Sequence, residues 1–204
     1  MRLLPSGSTA LLVELAGLDD VLALYAALSE AVPDGVVDVV PAARTVLLVT
    51  DPARTTLRAV ADAVSATTPR PGARPAGDCV ELPVHYDGAD LTELAGLLDL
   101  TAEELVQRHT AGEWTVAFCG FAPGFGYLTQ PGTQWDVPRR ATPRTAVPPG
   151  SVALAGEFSG VYPRESPGGW QLIGRTDVAV FDLDRDPAAL LRPGTRVRFT
   201  EVRP

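Results

Sequence analysis

The chain contains no lysine: all 17 of its basic residues are arginine. That excludes a phosphate-gripping Walker-type lysine, a Schiff-base lysine and a lysine able to carry biotin. Cysteine is scarce too. Cys79 and Cys119, forty positions apart, fit no metal spacing and read as two reduced, buried thiols of a cytoplasmic protein. The two histidines, His85 and His109, have no cysteine or acid cluster beside them with which to hold zinc, so no metal site is expected. No run of 18 apolar residues exists, which predicts no membrane span. Residues Met1 to Ser8 lack the apolar core of a secretion signal. With a net charge of −8 there is no basic footprint for nucleic acid. No Gly-x-Ser-x-Gly elbow occurs, and no Ser–His–Asp set can be assembled.

What is present suffices for a real core: 46% of residues are apolar and 21% charged, as in an ordinary globular protein. A length of 204 residues accommodates one large or two small domains. The first, over 1–78, reads as an α+β ferredoxin-like unit. A strand is expected at 8–15. A helix capped by Asp19 or Asp20 follows, with Val21, Leu24, Tyr25, Leu28 and Val32 at helical spacing. Strands at 36–40 and 45–50 come next, then a helix started by Asp51-Pro52, with Leu57, Val60, Ala61 and Val64 facing inward. That order is one strand short of the split βαβ unit.

Residues 67–77, rich in Pro, Gly and Arg, read as a connector. Beyond them Val80, Leu82, Val84 and Tyr86 alternate as in a strand, which either supplies the missing element or opens a second domain over 79–204. Two short helices are expected at 90–100 and 101–110. Thr101 and Glu104 form a capping box for the second, and Gly112 is its stop. Glu103 and Glu104 make this pair unsuited to DNA. Short strands at 114–118, 151–155, 170–173, 178–181 and 195–202 argue for a closed or sandwiched β domain.

The densest feature is Phe118-Cys-Gly-Phe-Ala-Pro-Gly-Phe-Gly-Tyr-Leu128. Loops fixed by Gly and Pro on a β scaffold are where sites usually sit. Its aromatics suit a pocket wall or a partner interface, with a simply packed loop as the third reading. Gly124 and Tyr127 are candidate ligand-binding positions; Phe121 and Phe125 are candidate interface anchors. Five arginines follow (Arg139, Arg140, Arg144, Arg164 and Arg175), opposed in the same window only by Glu157 and Glu165. Guanidinium forks suit carboxylate or phosphate, so Arg144 and Arg175 are candidates to bind a substrate anion or ATP; solvated arginines and an ion pair are the plainer alternative. Ser166, Gly168 and Gly169 either offer backbone N–H groups to an anion or merely seat Trp170. Glu165 is the candidate general base, or else a partner of Arg164 or Arg175. His109, ending a helix where a cation favours the dipole, is the second catalytic candidate, with a structural role as the alternative.

Gly120-Phe-Ala-Pro-Gly-Phe125, Tyr127-Leu128, Ala141-Thr-Pro-Arg-Thr145, Val147-Pro-Pro-Gly-Ser-Val152 and the run from Tyr162 to Thr176 resemble the allophanate hydrolase subunit 1 family. The likeness runs from about residue 80 to the end. It implies a cyclophilin-like β-barrel over 79–204 and the B component of an ATP-dependent 5-oxoprolinase, which opens 5-oxoproline to glutamate. ATP would phosphorylate the amide oxygen to make a better leaving group. ATP with Mg is then bound by the complex, with no covalent cofactor on this chain, and the chain is inactive alone. The implied partners are a larger subunit of the allophanate hydrolase subunit 2 family and the A component of 5-oxoprolinase, acting on a small-molecule amide. Family members often carry histidine at the position of His109 and cysteine at that of His85. The same resemblance leaves two rivals: a KipI-like inhibitor of a sensor histidine kinase, and a carboxyltransferase or allophanate hydrolase-type subunit of urea degradation.

Overall fold

The computed structural model describes residues 1–70, 72, 77–133 and 135–202. Two compact units divide the chain, Met1–Pro75 and Ala76–Pro204. Part of the connector expected over 67–77 lies outside the described residues.

In the first unit the elements are β1 (Arg2–Ser6), β2 (Ala10–Glu14), α1 (Leu18–Glu30), β3 (Val36–Pro41), β4 (Thr45–Thr50) and α2 (Leu57–Ala66). Their sheet is antiparallel, in the order β1-β2-β4-β3. Leu11 and Val13, with Val46 and Leu48, point alternate side chains to one face. There they meet Val21, Leu24 and Leu28 of α1 and Val60 and Val64 of α2 in an aliphatic core, the two- and 3.6-residue periods agreeing on one surface. Both helix starts differ from expectation. Gly17 precedes α1 without a side-chain cap, and Asp19 and Asp20 lie in its first turn. Asp51-Pro52 opens a turn in which Asp51 Oδ1 accepts from the Ala53 N–H, and α2 is capped instead by the Thr56 hydroxyl. Strand β1 is an addition to the expected order, because Pro5 and its mostly exposed side chains give it no alternating signature.

The second unit contains β5 (Cys79–Val84), α3 (Leu91–Leu97), α4 (Ala102–Thr110), β6 (Trp114–Cys119), β7 (Gly126–Thr129), β8 (Arg144–Val147), β9 (Ser151–Ala155), β10 (Phe158–Val161), β11 (Ser166–Gly168), β12 (Gln171–Arg175) and β13 (Arg196–Glu201). Seven strands run β12-β9-β10-β7-β6-β13-β5, with β11 and β8 as a separate pair. Strand β5 therefore belongs to this sheet, parallel to β13, and does not complete the first unit. Beyond β5 the chain continues as a strap. His85 and Arg175 exchange backbone hydrogen bonds of 2.8 and 2.9 Å, and the N–H groups of Gly88 and Asp90 donate to the carbonyls of Ile173 and Leu172. The strap links the two edge strands, so the sheet forms a nearly closed mixed barrel.

Leu82, Val84, Val116, Leu128, Val152, Leu154 and Ile173 fill the barrel, beneath α3 and α4. The capping box of Thr101 and Glu104 is present on α4. Residues 178–181 do not form a strand; Phe181 makes only an isolated bridge to Ala189. Of the two thiols, Cys79 is exposed, contrary to expectation. Cys119 donates to the Leu191 carbonyl at 3.3 Å, and burial pushes its thiol up to about 11. No helix among the described residues is long and apolar enough to cross a membrane.

Candidate functional site

The turn before β7 is tied by three local hydrogen bonds: Ala122 N–H to the Gly120 carbonyl, Phe125 N–H to the Ala122 carbonyl, and Gly120 N–H to the Phe125 carbonyl. Closing it puts Phe121 at φ 65°, a left-handed conformation that costs a bulky residue about 1–2 kcal/mol. Gly124 is left-handed as well, at φ 82°, and a Cβ there would lie 2.5 Å from Phe181 Cβ. Its role is to shape the turn. Phe121 is thereby held 56% exposed while Phe125 turns inward at 1%.

Phe125 is the floor of an aromatic cage rather than the partner anchor expected of it. Its ring meets Tyr127, Tyr162 and Trp170 edge-on at 5.1–5.3 Å, the arrangement favoured by ring quadrupoles. Together with Phe121, Gly168, Gly169 and Arg139 these residues line a pocket of about 240 Å³. Burial pushes both phenols up, and the nearby Arg139 guanidinium pulls the other way. Both remain protonated donors at neutral pH. Among the described residues no carboxylate forms an ion pair with Arg139. At Gly168 a Cβ would fall 2.3 Å from Tyr162 Oη, whereas at Gly169 the nearest atom is 3.7 Å away. Close approach therefore matters at Gly168 and not at Gly169, and neither has positive φ.

A buried carboxylate missed in the sequence organises one side of this pocket. Asp90 occupies the N-cap of α3 without capping it and is 1% exposed. Its oxygens accept from Arg144 Nη1 and Nη2 at 2.8 and 2.7 Å, from Arg140 Nη1, and from the Leu172 N–H at 2.7 Å. Burial pushes this carboxyl up, but the Arg144 and Leu172 hydrogen bonds and the charges of Arg144 and Arg140 outweigh that and hold it below its usual range. Arg144 thus commits its fork to the protein's own carboxylate, not to a substrate anion. The Arg140 N–H also donates to the Gly169 carbonyl at 2.8 Å, joining the clamp to the pocket wall.

The other expected site residues lie apart from the cage. Arg175 is half exposed and paired with Asp87 at 3.0 Å and Asp177 at 3.7 Å. Glu165 is exposed and does not line the pocket. Ser166 is buried, its hydroxyl donating to the Arg164 carbonyl. His109 sits in the barrel interior at 0% exposure. Tyr86 Oη lies 2.7 Å from its Nδ1 and Ser159 Oγ 2.9 Å from its Nε2. Burial lowers its pKa to about 3, so it is a neutral, saturated core residue and not the helix-end cation expected. Among the described residues no group of three His, Cys, Asp or Glu is arranged to hold a metal ion.

The family model for the carboxyltransferase domain, subdomains C and D, matches residues 1–191. The chain belongs to this family. Among curated relatives, this carboxyltransferase-family chain is 49% identical over 123 residues to the B subunit of 5-oxoprolinase from Escherichia coli O157:H7, covering 59% of the chain and 56% of that protein. It is 45% identical over 126 residues to the protein of the same name from Bacillus subtilis (strain 168), covering 60% and 52%. The chain thus matches about half the length of these relatives. Among solved structures, TTHA0988 superposes with a TM-score of 0.77 at 36% identity, covering 96% of this chain and 40% of that one. The Kluyveromyces lactis urea amidolyase shares the fold, with a TM-score of 0.75 at 19% identity over 99% of this chain and 16% of its own.

Proposed function

We propose that this chain is the B-type component of an ATP-dependent 5-oxoprolinase, which opens the lactam of 5-oxoproline to glutamate together with partner subunits. The observation that carries this reading is 44–49% identity to three proteins named as the B subunit of 5-oxoprolinase. The pocket supports a share of a site rather than a whole one. Two protonated phenols and one free guanidinium can bind and orient, but among the described residues no carboxylate or imidazole lines the cage to accept a proton from water.

ATP with Mg does not fit this cage. Its volume of about 240 Å³ falls short of the roughly 300–1,000 Å³ of ordinary ligand pockets, and Arg140 and Arg144 are committed to Asp90. The nucleotide is assigned to the assembled complex, on the larger subunit of the allophanate hydrolase subunit 2 family or on the A component. On this reading the chain is cytoplasmic, hetero-oligomeric and inactive alone. Its first unit is a ferredoxin-like variant in which β1 takes the place of the fourth strand, and its second is a cyclophilin-like barrel.

The test is 5-oxoproline-dependent ATP hydrolysis by the purified chain, alone and with both candidate partners. Turnover is expected only in the mixture. Turnover by the chain alone would sink the subunit reading, and inactivity in both conditions with tight binding to a sensor kinase would replace it with a regulatory role.

A further inference from the structure

We propose that the aromatic cage binds a small, flat monocarboxylate, with the carboxylate on Arg139 and the body against Phe125, Tyr162 and Trp170. Three of the five arginines between residues 139 and 175 are already paired: Arg140 and Arg144 with Asp90, and Arg175 with Asp87 and Asp177. Arg139 has no carboxylate partner among the described residues, and it alone of the five lines the cage. In a chain of net charge −8, a free guanidinium beside a pocket with no acidic lining selects for an anion, and a single guanidinium suits a single carboxylate.

Size and shape narrow the ligand. The walls present ring faces and edges, which favour a flat body, and the volume excludes a nucleotide. Burial pushes the Tyr162 phenol up, so it keeps its proton and can donate it to a ligand carbonyl. The backbone that carries Arg139 is anchored on one side. The next residue, Arg140, is fixed by its side chain to buried Asp90 and by its N–H to the Gly169 carbonyl.

This inference rests on the proposed function only for its choice of probe, 5-oxoproline, a cyclic amide with one carboxylate. The experiment is binding to the purified full chain by calorimetry and by tryptophan fluorescence. Trp170 lines the cage, whereas Trp114 and Trp135 are packed in the barrel interior, so Trp170 reports occupancy. Saturable quenching by 5-oxoproline is expected, with neutral 2-pyrrolidinone binding more weakly. Arg139→Met should weaken binding of the acid by about tenfold to a hundredfold and leave 2-pyrrolidinone unchanged. Arg139→Lys should fall between them, and Trp170→Phe should lose the optical signal while keeping calorimetric heat. Circular dichroism checks that each variant is folded. No heat with millimolar 5-oxoproline, or wild-type affinity in folded Arg139→Met, would overturn the proposal. If the reconstituted complex still hydrolyses 5-oxoproline in that case, the function stands and the pocket assignment falls. Arg139-dependent binding with no turnover by any complex would leave the pocket assignment standing and remove the function.

Discussion

The barrel unit holds two aromatic clusters, and they are built to opposite ends. Inside the barrel, Trp114, Trp135, Phe199 and His109 pack ring against ring with every polar group spoken for. Trp114 Nε1 donates to the His109 carbonyl and Trp135 Nε1 to Gln130. On the outer side, Phe121, Phe125, Tyr127, Tyr162 and Trp170 also pack ring against ring but surround open space, with one residue in a strained conformation and one free charge at the edge. Aromatic density alone therefore does not mark a site. Unfilled volume, backbone strain and an unpaired charge do.

The comparison can be broken at four points. The largest effect is expected at Asp90, which supports the outer cluster. Asp90→Ala leaves two partly buried arginines without their counter-ion, and loss of one partner from a buried ion pair costs about 3–5 kcal/mol. Urea denaturation should register this as a lower midpoint, and an unchanged midpoint would dissolve the clamp. Next, Gly168→Ala should cost about 2 kcal/mol by crowding Tyr162, while Gly169→Ala stays within about 0.5 kcal/mol. Equal effects in thermal melts would remove the distinction between the two glycines.

The inner cluster is tested by pH. His109 has a folded pKa of about 3, below the roughly 6.5 of an unfolded histidine, so the unfolded state binds the extra proton between those values. Its contribution is complete above about pH 6.5 and declines as pH falls toward 3, by about 1.4 kcal/mol per pH unit. His109→Gln should flatten that slope between about pH 6.5 and 4.5; an identical slope would mean that the ring is protonated in the native state. The smallest effect belongs to the strained turn. Phe121→Gly should change stability by less than about 1 kcal/mol, because relief of the left-handed strain offsets lost ring contacts, yet weaken 5-oxoproline binding measurably. Unaltered affinity would show that Phe121 does not cover the pocket.

Local signals in the sequence located α1, α4 and its capping box, and strands β3, β4, β6, β9 and β13 to within a few residues. The aromatic-glycine run was legible as a site for a local reason too, since its turn is held by its own hydrogen bonds. Strands β7, β10 and β11 were hidden because glycine and proline serve there for close approach instead of breaking the strand: Gly160 in β10 passes 2.8 Å from Phe125 Cζ, measured from an added Cβ. Part of the charge excess in the arginine-rich window was only apparent, because the carboxylates that pair with Arg140, Arg144 and Arg175 include two from far away in sequence. Asp90 is 50 residues before Arg140, and Asp87 is 88 before Arg175. Asp90 looked like a helix start and nothing else. An excess of arginine with no local acid was the one clue that a distant carboxylate had to be found.

The strap from His85 to Asp90 makes assembly of this site a late event. Asp90 meets the Leu172 N–H across 82 residues of chain, and β5 finds β13, the first and last strands of the unit, in parallel. Such closures cost chain entropy before they return any contact energy. Because the same strap closes the barrel and carries the carboxylate that fixes Arg140, a chain emerging from the ribosome gains a completed pocket wall only after β12 is available, and a closed barrel only after β13. Any ligand of this surface would therefore meet it finished or not at all, and fragments ending before β12 should be unable to form the clamp.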